Sequence, residues 1–428
     1  MPAVRGYRAP IRRYSLGKGL NDPGESSMQA PPHGWSQLGL SGKLALVAIG
    51  PFIAIGLFSM GPVLPRLGEA FAGTPDADLL VQLIGTVVAP VFAFASPLAG
   101  KLINQFGIRA VYIASVLIMA IGGAGPAFCD SLWAILGFRL LLSIGVAGGF
   151  TAGISGTARL PDSQRPTVLG LNSFAGGVIT LPLFPIVGAL AEESWRLAFL
   201  AHLIVLPTIL FALRLPGRDT AVTEAEEIPS AQPPMAEALM AGVPGALVIA
   251  TALSGLGMVA SSMYSPFFLA SIGIVEPGKI GLVLSAMSLC SLAGSGSYGF
   301  VHRFVGTNGL LLLGLGGMAV GCLSISMAQG LLVAIAGMGL LGTGISIFVP
   351  SAYAAAVESL GPGRNVPAAM GVVTLALYGC QMIFPAISSA LGGRFGPAAV
   401  FLMLGALMMV AFVLTFHFGR RALPPAAA

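Results

Sequence analysis

The sequence predicts an all-α integral membrane protein of twelve transmembrane helices, arranged as two six-helix bundles related by an internal repeat. Hydrophobic residues make up 56% of the 428-residue chain and charged residues only 9%, whereas soluble domains carry about 25% charged residues. Uncharged stretches long enough to cross a bilayer recur along the chain, and the two halves share features at a nearly constant offset. This composition argues against a soluble enzyme, a nucleic-acid-binding protein and a disordered scaffold.

The spans are predicted from the length of helix that crosses the hydrocarbon core, about 20 apolar residues. Two groups of six such stretches flank one long polar segment, which we interpret as a cytoplasmic linker. The predicted organisation is an arm (1–43), an N-terminal bundle (44–215), the linker (216–243), a C-terminal bundle (244–418) and a tail (419–428). The spans are expected at 44–65, 79–100, 110–129, 132–157, 166–191, 197–213, 244–270, 280–301, 308–328, 331–356, 366–391 and 396–418.

The distribution of Lys and Arg predicts the orientation of the chain. With a cytoplasmic N-terminus, sixteen of the 21 cations fall in cytoplasmic segments and four in outer loops. We therefore expect a multi-pass protein of a bacterial inner membrane with both termini in the cytoplasm. Three interpretations of the polar N-terminus stay open: a disordered basic arm attracted to anionic lipid, a transit peptide, or a false start upstream of Met28.

Similarity between the halves is ordered along the chain. Segment 100–107 after the second span aligns with segment 299–306 after the eighth, and the glycines at both ends keep an offset of 199 residues. Arg159 and Glu358 keep the same offset at the ends of the fourth and tenth spans. Two similar bundles can rock around a central site to give alternating access, so this arrangement favours a transporter.

A loop after the second span carries the first resemblance to a known family. Gly100, Asn104, Gln105, Gly107 and Arg109 form a pattern that resembles the loop motif of the major facilitator superfamily, G-x-x-x-D-R-x-G-R-R. The resemblance implies that Gly100, Asn104, Gly107 and Arg109 form a conformational latch. Asn and Gln replace the acidic and first basic residues of the motif, so its charge relay is expected to be weakened or lost.

Further motifs of the same superfamily follow in the first half. Arg139 and the small residues after it resemble the fourth-helix motif, Pro185 lies in a degraded form of the antiporter motif G-P-x-x-G-G, and Trp195-Arg196 resembles the entry to helix six. The resemblance implies a twelve-helix transporter that works by alternating access. Its leading subclass is an exporter of drugs or metabolites by proton antiport.

The charged residues are almost excluded from the spans. None of the 16 acidic residues lies in the middle of a span, although proton-driven transporters usually hold a carboxylate there. Arg139 is the one charge inside a span, so it is expected to face the bundle interior or a water-filled cavity. Its functional interpretation is an anion contact or a fixed charge beside a proton site; the structural one is a tie to backbone carbonyls or to Asn172 and Gln82.

Two residues are candidates for proton coupling. His202 is the one mid-span residue whose unperturbed pKa lies near neutrality, although the sequence favours a packed, hydrogen-bonded histidine at this position. Asp78 lies at the outer mouth of the second span, where it is also expected to serve as the N-cap of that helix.

The resemblance also implies which helices line the central cavity, and their residues suggest a hydrophobic or amphiphilic organic substrate rather than a sugar. We expect buried amides among them to contribute most, because they need hydrogen-bond partners. The candidate lining residues are Phe58, Met60, Gln82, Arg139, Ser143, Asn172, Met263, Tyr264, Ser288, Phe348, Tyr378 and Gln381.

We therefore predict a secondary transporter of a small organic molecule, and not an enzyme. The alternatives are an organic-anion carrier or facilitator that uses Arg139 as counter-charge and, from another class, a membrane-embedded enzyme or receptor, which lacks a catalytic constellation. The four cysteines are far apart in sequence, so no metal site, disulfide framework or cofactor is expected. The expected partners are the substrate, protons as the candidate coupling ion and membrane lipid, with no nucleic acid, for a monomer.

Overall fold

The computed structural model describes Trp35 and residues 38–161, 163–217, 242–360 and 366–422. All regular secondary structure in these residues is helical. Most of the predicted arm and linker, and residues 423–428 of the predicted tail, lie outside the described residues.

Six helices long enough to cross a membrane form the first half. The first is interrupted by a short 3-10 turn at Gly61–Val63, and the second is bent by 44° between its two parts. The helices are α1 (Leu40–Ala70), α2 (Ala77–Thr86 and Val88–Phe106), α3 (Ile108–Phe128), α4 (Leu132–Ala158), α5 (Thr167–Glu193) and α6 (Trp195–Ala212).

The second half repeats this arrangement. A continuous helical stretch, Pro277–Ser326, runs for 50 residues, but the non-helical backbone at Gly306 divides it into two spans. With that division the described chain holds the twelve predicted spans. The helices are α7 (Gly245–Ser271), α8 (277–305), α9 (307–326), α10 (Leu331–Glu358), α11 (Ala369–Phe395) and α12 (Pro397–Ala422).

Matching turns join the second and third helices of each half. Gly107, between α2 and α3, has φ 83° and ψ 160°; Gly306, between α8 and α9, has φ 63° and ψ −178°. A positive φ with extended ψ is a conformation that glycine adopts far more readily than other residues. The aligned glycines therefore make the same turn at equivalent places, as the repeat predicts.

Close backbone contact joins the third and fourth helices of each half. A Cβ atom on Gly145 of α4 would lie 2.6 Å from the amide nitrogen of Met119 in α3. A Cβ on Gly344 of α10 would lie 2.7 Å from the amide nitrogen of Met318 in α9. Both glycines and both methionines are related by the offset of 199 residues, so the two helix pairs pack in the same register.

The contact is reciprocal within each pair. Gly122 of α3 faces the backbone of Leu142 in α4, and Gly321 of α9 faces the backbone of Leu341 in α10, again at an offset of 199 residues. Small residues let two helices approach closely, which is how helices associate where lipid supplies no hydrophobic drive. These contacts make α3–α4 and α9–α10 two tightly packed hairpins.

The two halves meet mainly at one face of the protein. We call the face where α1 begins the terminal face and the face where α1 ends the far face. At the far face the Ser388 hydroxyl donates to Oε1 of Gln82, which joins α11 to α2. The amide N–H of Gly278 in α8 donates to Oε1 of Glu192 in α5, at 2.9 Å. These polar contacts close the far face between the halves.

Close contacts between helix backbones also hold the two halves together at the far face. Gly61 of α1 lies against the carbonyl of Ser262 in α7, and Gly281 of α8 lies against the carbonyl of Phe184 in α5. Pairs α1–α7, α2–α11 and α5–α8 therefore all bring the halves together on the same side. The space between the halves lies toward the terminal face.

We expect Gly145→Ala to lower the thermal unfolding midpoint of the purified protein in detergent, measured by circular dichroism. The added methyl group would overlap the α3 backbone, and overpacking of this kind costs about 1–3 kcal/mol. Gly344→Ala should have a similar effect in the second half. Gly137→Ala is the matched control on α4, because no atom lies within 4 Å of its added Cβ. An unchanged midpoint in Gly145→Ala would contradict the packing described.

We expect the double variant Glu192→Ala/Ser388→Ala to open the far face more often. Each lost hydrogen bond is worth about 1 kcal/mol, so the population open at the far face should rise roughly fivefold per contact. Pulsed electron paramagnetic resonance measures the distance between spin labels attached at Ala72→Cys and Arg394→Cys, in a protein whose native cysteines have been replaced. Ser271→Ala is the control, because its hydroxyl bonds only within α7. Identical distance distributions would refute the role of these contacts.

Candidate functional site

A cavity of about 570 Å³ lies between the halves. It is lined by α1, α5, α7, α8 and α10, on the terminal-face side of the contacts that close the far face. Its volume falls within the range of small-molecule sites, about 300–1,000 Å³. The lining residues are Phe58, Gly170, Phe174, Gly177, Thr180, Phe184, Met258, Ser261, Ser262, Met287, Ser288, Ser291, Leu292, Ser295, Gly296, Gly342 and Ile345.

The cavity wall is apolar and carries hydroxyl groups but no charged side chain. Its largest apolar groups are aromatic, Phe58, Phe174 and Phe184, with two methionines beside them. Across the described part of the chain, no group of three or more His, Cys, Asp or Glu side chains could hold a metal ion. The wall therefore suits an apolar or amphiphilic organic molecule that makes a few hydrogen bonds.

Arg139 is fully buried inside the first half and does not line this cavity. Its Nε donates to the carbonyl of Ile84 in α2 at 3.1 Å. Within the described residues, Nη1 and Nη2 have no hydrogen-bond partner. The expected tie to a backbone carbonyl is present, whereas no hydrogen bond joins Arg139 to Gln82 or Asn172. A buried guanidinium with free donors is an incompletely satisfied group.

His202 of α6 is fully buried close to Arg139, near enough for their charges to interact. Its Nδ1 lies 3.0 Å from the carbonyl oxygen of Phe199, and its Nε2 lies 3.3 Å from the Ser59 hydroxyl of α1. A neutral ring fits both contacts: Nδ1–H donates to the carbonyl and the Ser59 hydroxyl donates to Nε2. Arg139 and His202, which the sequence analysis considered separately, therefore lie in one buried polar cluster of the first half.

The predicted amides make hydrogen bonds outside the cavity. Gln82 accepts from Ser388 across the halves. Nδ2 of Asn172 in α5 donates to the carbonyl of Leu46 in α1 at 3.2 Å. Gln381 donates to a carbonyl of its own helix. Each of these three amides has a hydrogen-bond partner, but the partners are helix contacts within the protein.

The remaining predicted lining residues are mostly packing groups. Tyr264 contacts the rings of Phe267, Phe384 and Phe401 within the second half, and Tyr378 contacts Phe92 across the halves. Met60, Met263 and Phe348 are buried, and the Ser143 hydroxyl donates to the Arg139 carbonyl. Of the predicted set, Phe58 and Ser288 line the cavity.

The prediction that Asp78 caps α2 was wrong by two residues. Asp76 is the N-cap, with a left-handed φ of 58°, and the helix begins at Ala77. Asp78 lies in the first turn, where a carboxylate interacts favourably with the helix dipole. It is exposed near the far face and does not line the cavity.

The residues of the loop motif lie at the terminal face between α2 and α3. Gly100 is buried in α2, Gly107 makes the turn described above, and the side chains of Asn104 and Arg109 are exposed. The role of these four residues in a conformational latch stays a prediction.

Several cavity residues were not predicted from the sequence. Ser291 and Ser295 of α8 and Thr180 of α5 bring hydroxyls to the wall. A signal for the first two exists, because Ser288, Ser291 and Ser295 recur at the spacing of one helix face. This polar stripe in an otherwise apolar span marks the side that faces the cavity.

Sequence comparison identifies three relatives at low identity. A gentisate transporter of Corynebacterium glutamicum is 29% identical over 47% of this chain, and the multidrug resistance protein MdtG of Rahnella sp. is 29% identical over 42%. The efflux pump apf11 of Gibberella fujikuroi is 26% identical over 44%. The aligned part spans 48%, 42% and 34% of these proteins in the same order.

Solved structures share the fold over almost the whole chain. The nucleoside transporter NupG superposes with a TM-score of 0.71 at 14% identity, covering 89% of this chain and 99% of its own. A D-xylose–proton symporter superposes with a TM-score of 0.70 at 18% identity, covering 88% and 97%. The Major Facilitator Superfamily profile matches residues 46–309 and 247–428, which together cover most of the sequence. The chain therefore belongs to the major facilitator superfamily, a family of membrane transporters.

Proposed function

We propose that this transporter exports a small, uncharged, amphiphilic organic molecule in exchange for protons. The observation that carries the proposal is the cavity of about 570 Å³ between the halves, which is apolar, aromatic and free of charged side chains. Two relatives named as an efflux pump and a multidrug resistance protein support the direction and the substrate class.

The wall of the cavity favours an amphiphile over a sugar. A sugar needs several hydrogen bonds to compensate for the water that its hydroxyls lose. Here Phe58, Phe174 and Phe184 supply flat apolar surface, and only a few hydroxyls supply polar contacts. The fold is shared with a xylose symporter and a nucleoside transporter, but fold alone does not determine the substrate.

The terminal face is the cytoplasmic face in this proposal, and the membrane is a bacterial inner membrane. The excess of Lys and Arg in the segments assigned to that face supports this orientation. The cavity lies on the terminal-face side of the closed contacts between the halves, so the described conformation would receive substrate from the cytoplasm. An exporter binds its substrate from that side. We expect the unit that transports to be a monomer.

Proton coupling in this proposal uses the buried cluster of His202, Arg139 and Ser59. His202 can take a proton on Nε2, which would then donate to the Ser59 hydroxyl and reverse that hydrogen bond. The cationic ring would also repel the nearby guanidinium. A charge change in this cluster would alter the packing of α1, α4 and α6, so it could bias the two conformations of the protein. Asp78 is the other coupling candidate.

We expect proteoliposomes to accumulate radiolabelled chloramphenicol, an uncharged aromatic amide, when a pH gradient is imposed. For exchange with one proton, one pH unit sets an accumulation limit of about tenfold. His202→Gln should abolish the effect of the gradient while exchange of labelled for unlabelled solute continues. Asp78→Asn tests the other coupling candidate and should keep the effect if His202 carries the proton. Flux that ignores the gradient in the unmodified protein would rule out antiport, and loss of the effect only in Asp78→Asn would move coupling to that residue.

A second candidate function is an organic-anion carrier that uses Arg139 as counter-charge. The buried, incompletely hydrogen-bonded guanidinium and the relative named as a gentisate transporter favour it. It requires a conformation in which Arg139 reaches the cavity.

We expect Arg139→Lys and Arg139→Ala both to abolish uptake of labelled gentisate if the planar guanidinium binds the anion, because an ammonium group cannot form the same paired hydrogen bonds. Exchange of labelled for unlabelled chloramphenicol in the same vesicles, without a pH gradient, separates this effect from loss of folding. Normal gentisate uptake by Arg139→Ala would leave only a packing role for this arginine.

A further inference from the structure

We infer that the cavity between the halves selects uncharged aromatic solutes that present hydrogen-bond donors, and that it rejects carboxylates. This inference rests on the proposed function, because it takes the cavity as the transport site. It follows from the direction in which the wall hydroxyls already donate.

Four wall hydroxyls give their protons to their own helices. Ser261 and Ser262 of α7 both donate to the Met258 carbonyl at 2.8 Å. Ser288 of α8 donates to the carbonyl four residues earlier at 3.1 Å, and Thr180 of α5 donates to the carbonyl three residues earlier at 2.7 Å. A hydroxyl has one proton and two lone pairs. These oxygens can therefore receive hydrogen bonds from a solute while they keep their internal bonds.

The backbone of α7 supports this arrangement. Ala260–Tyr264 is π-helical, a form that is often found at functional sites. Consecutive residues of a regular helix do not share a face, yet Ser261 and Ser262 both line the cavity and both bond one carbonyl. The π-helical segment thus concentrates two acceptor oxygens on one part of the wall.

The other two wall hydroxyls do not reverse this preference. Ser291 and Ser295 also line the cavity, and a serine hydroxyl can donate or accept. Neutral donors cannot balance a full negative charge, and removal of an unpaired carboxylate from water costs several kcal/mol. The nearest buried cation described above, Arg139, lies outside the wall. A carboxylate in this cavity would remain unpaired.

The apolar part of the cavity wall favours solutes with aromatic rings. Phe58 of α1 and Phe174 and Phe184 of α5 present aromatic surface, and Met258 and Met287 adapt to irregular shapes. A fused-ring solute with one N–H or O–H group would use both parts of the wall.

Three probes with one ring system test the inference: 1-naphthol, 1-naphthoate and 1-methylnaphthalene. Binding to the purified full-length chain in detergent near neutral pH is followed by probe fluorescence. Gly296→Phe supplies the blank for partition into micelles, because Gly296 lines the cavity and has no atom within 4 Å of an added Cβ. We expect naphthol to bind most tightly, at least about tenfold more tightly than naphthoate.

Serine variants locate the effect. Ser262→Ala and Ser288→Ala should each weaken naphthol binding about two- to tenfold and leave methylnaphthalene binding unchanged, because only the hydrogen bond is lost. Ser271→Ala on α7 and Ser297→Ala on α8 are matched controls, since both hydroxyls bond their own helices and neither lines the cavity. These controls should bind all probes normally.

The inference is overturned if naphthoate binds as tightly as naphthol, if the serine variants weaken both neutral probes equally, or if no probe shows binding above the Gly296→Phe blank. Each result is independent of proton coupling, because no gradient is present. Discrimination among the probes without gradient-driven flux would instead refute antiport and leave the selectivity intact.

Discussion

Close contact between helix backbones at glycine is the constraint on which the rest of this structure depends. In lipid, two apolar helix faces gain little free energy when they exchange contacts with lipid for contacts with each other. Helix association therefore relies on close packing and hydrogen bonds. Gly122 and Gly145 meet this need in the first half, and Gly321 and Gly344 meet it in the second. These contacts form the α3–α4 hairpin in the first half and the α9–α10 hairpin in the second. The other helices of each half are arranged around these hairpins.

Polar groups are distributed according to what each region must do. Inside each half they are mostly satisfied locally, as in the hydroxyl of Tyr112, which donates to the Ala45 carbonyl across two helices. Between the halves, a few contacts such as Glu192 with Gly278 join the two surfaces at the far face. A hydrogen bond of about 1 kcal/mol can bias a conformational equilibrium without making it irreversible.

The sequence was sufficient for the topology and only partly sufficient for the site. The positions of the spans follow from the exclusion of charged residues from lipid, and the internal repeat is visible in the spacing of glycines. Both could therefore be predicted from the sequence. Whether a residue lines the cavity depends on how its helix is rotated about its own axis. The family resemblance predicts which helices line the cavity but not which face of each helix does so. Hence Tyr264 was expected at the cavity but packs among phenylalanines, while Ser291 and Ser295 were overlooked in an apolar span. The cap at Asp76 was missed because a left-handed residue leaves no clear mark in composition.

Matched interruptions in α1 and α7 have a mechanical consequence. Gly61–Val63 in α1 and Ala260–Tyr264 in α7 lie one repeat apart and touch each other where the halves meet. A helix that changes its hydrogen-bonding pattern midway does not bend as one uniform rod. The far ends of α1 and α7 can thus tilt as short levers on these two joints while the packed hairpins behind them stay fixed, so the far face has its own hinge.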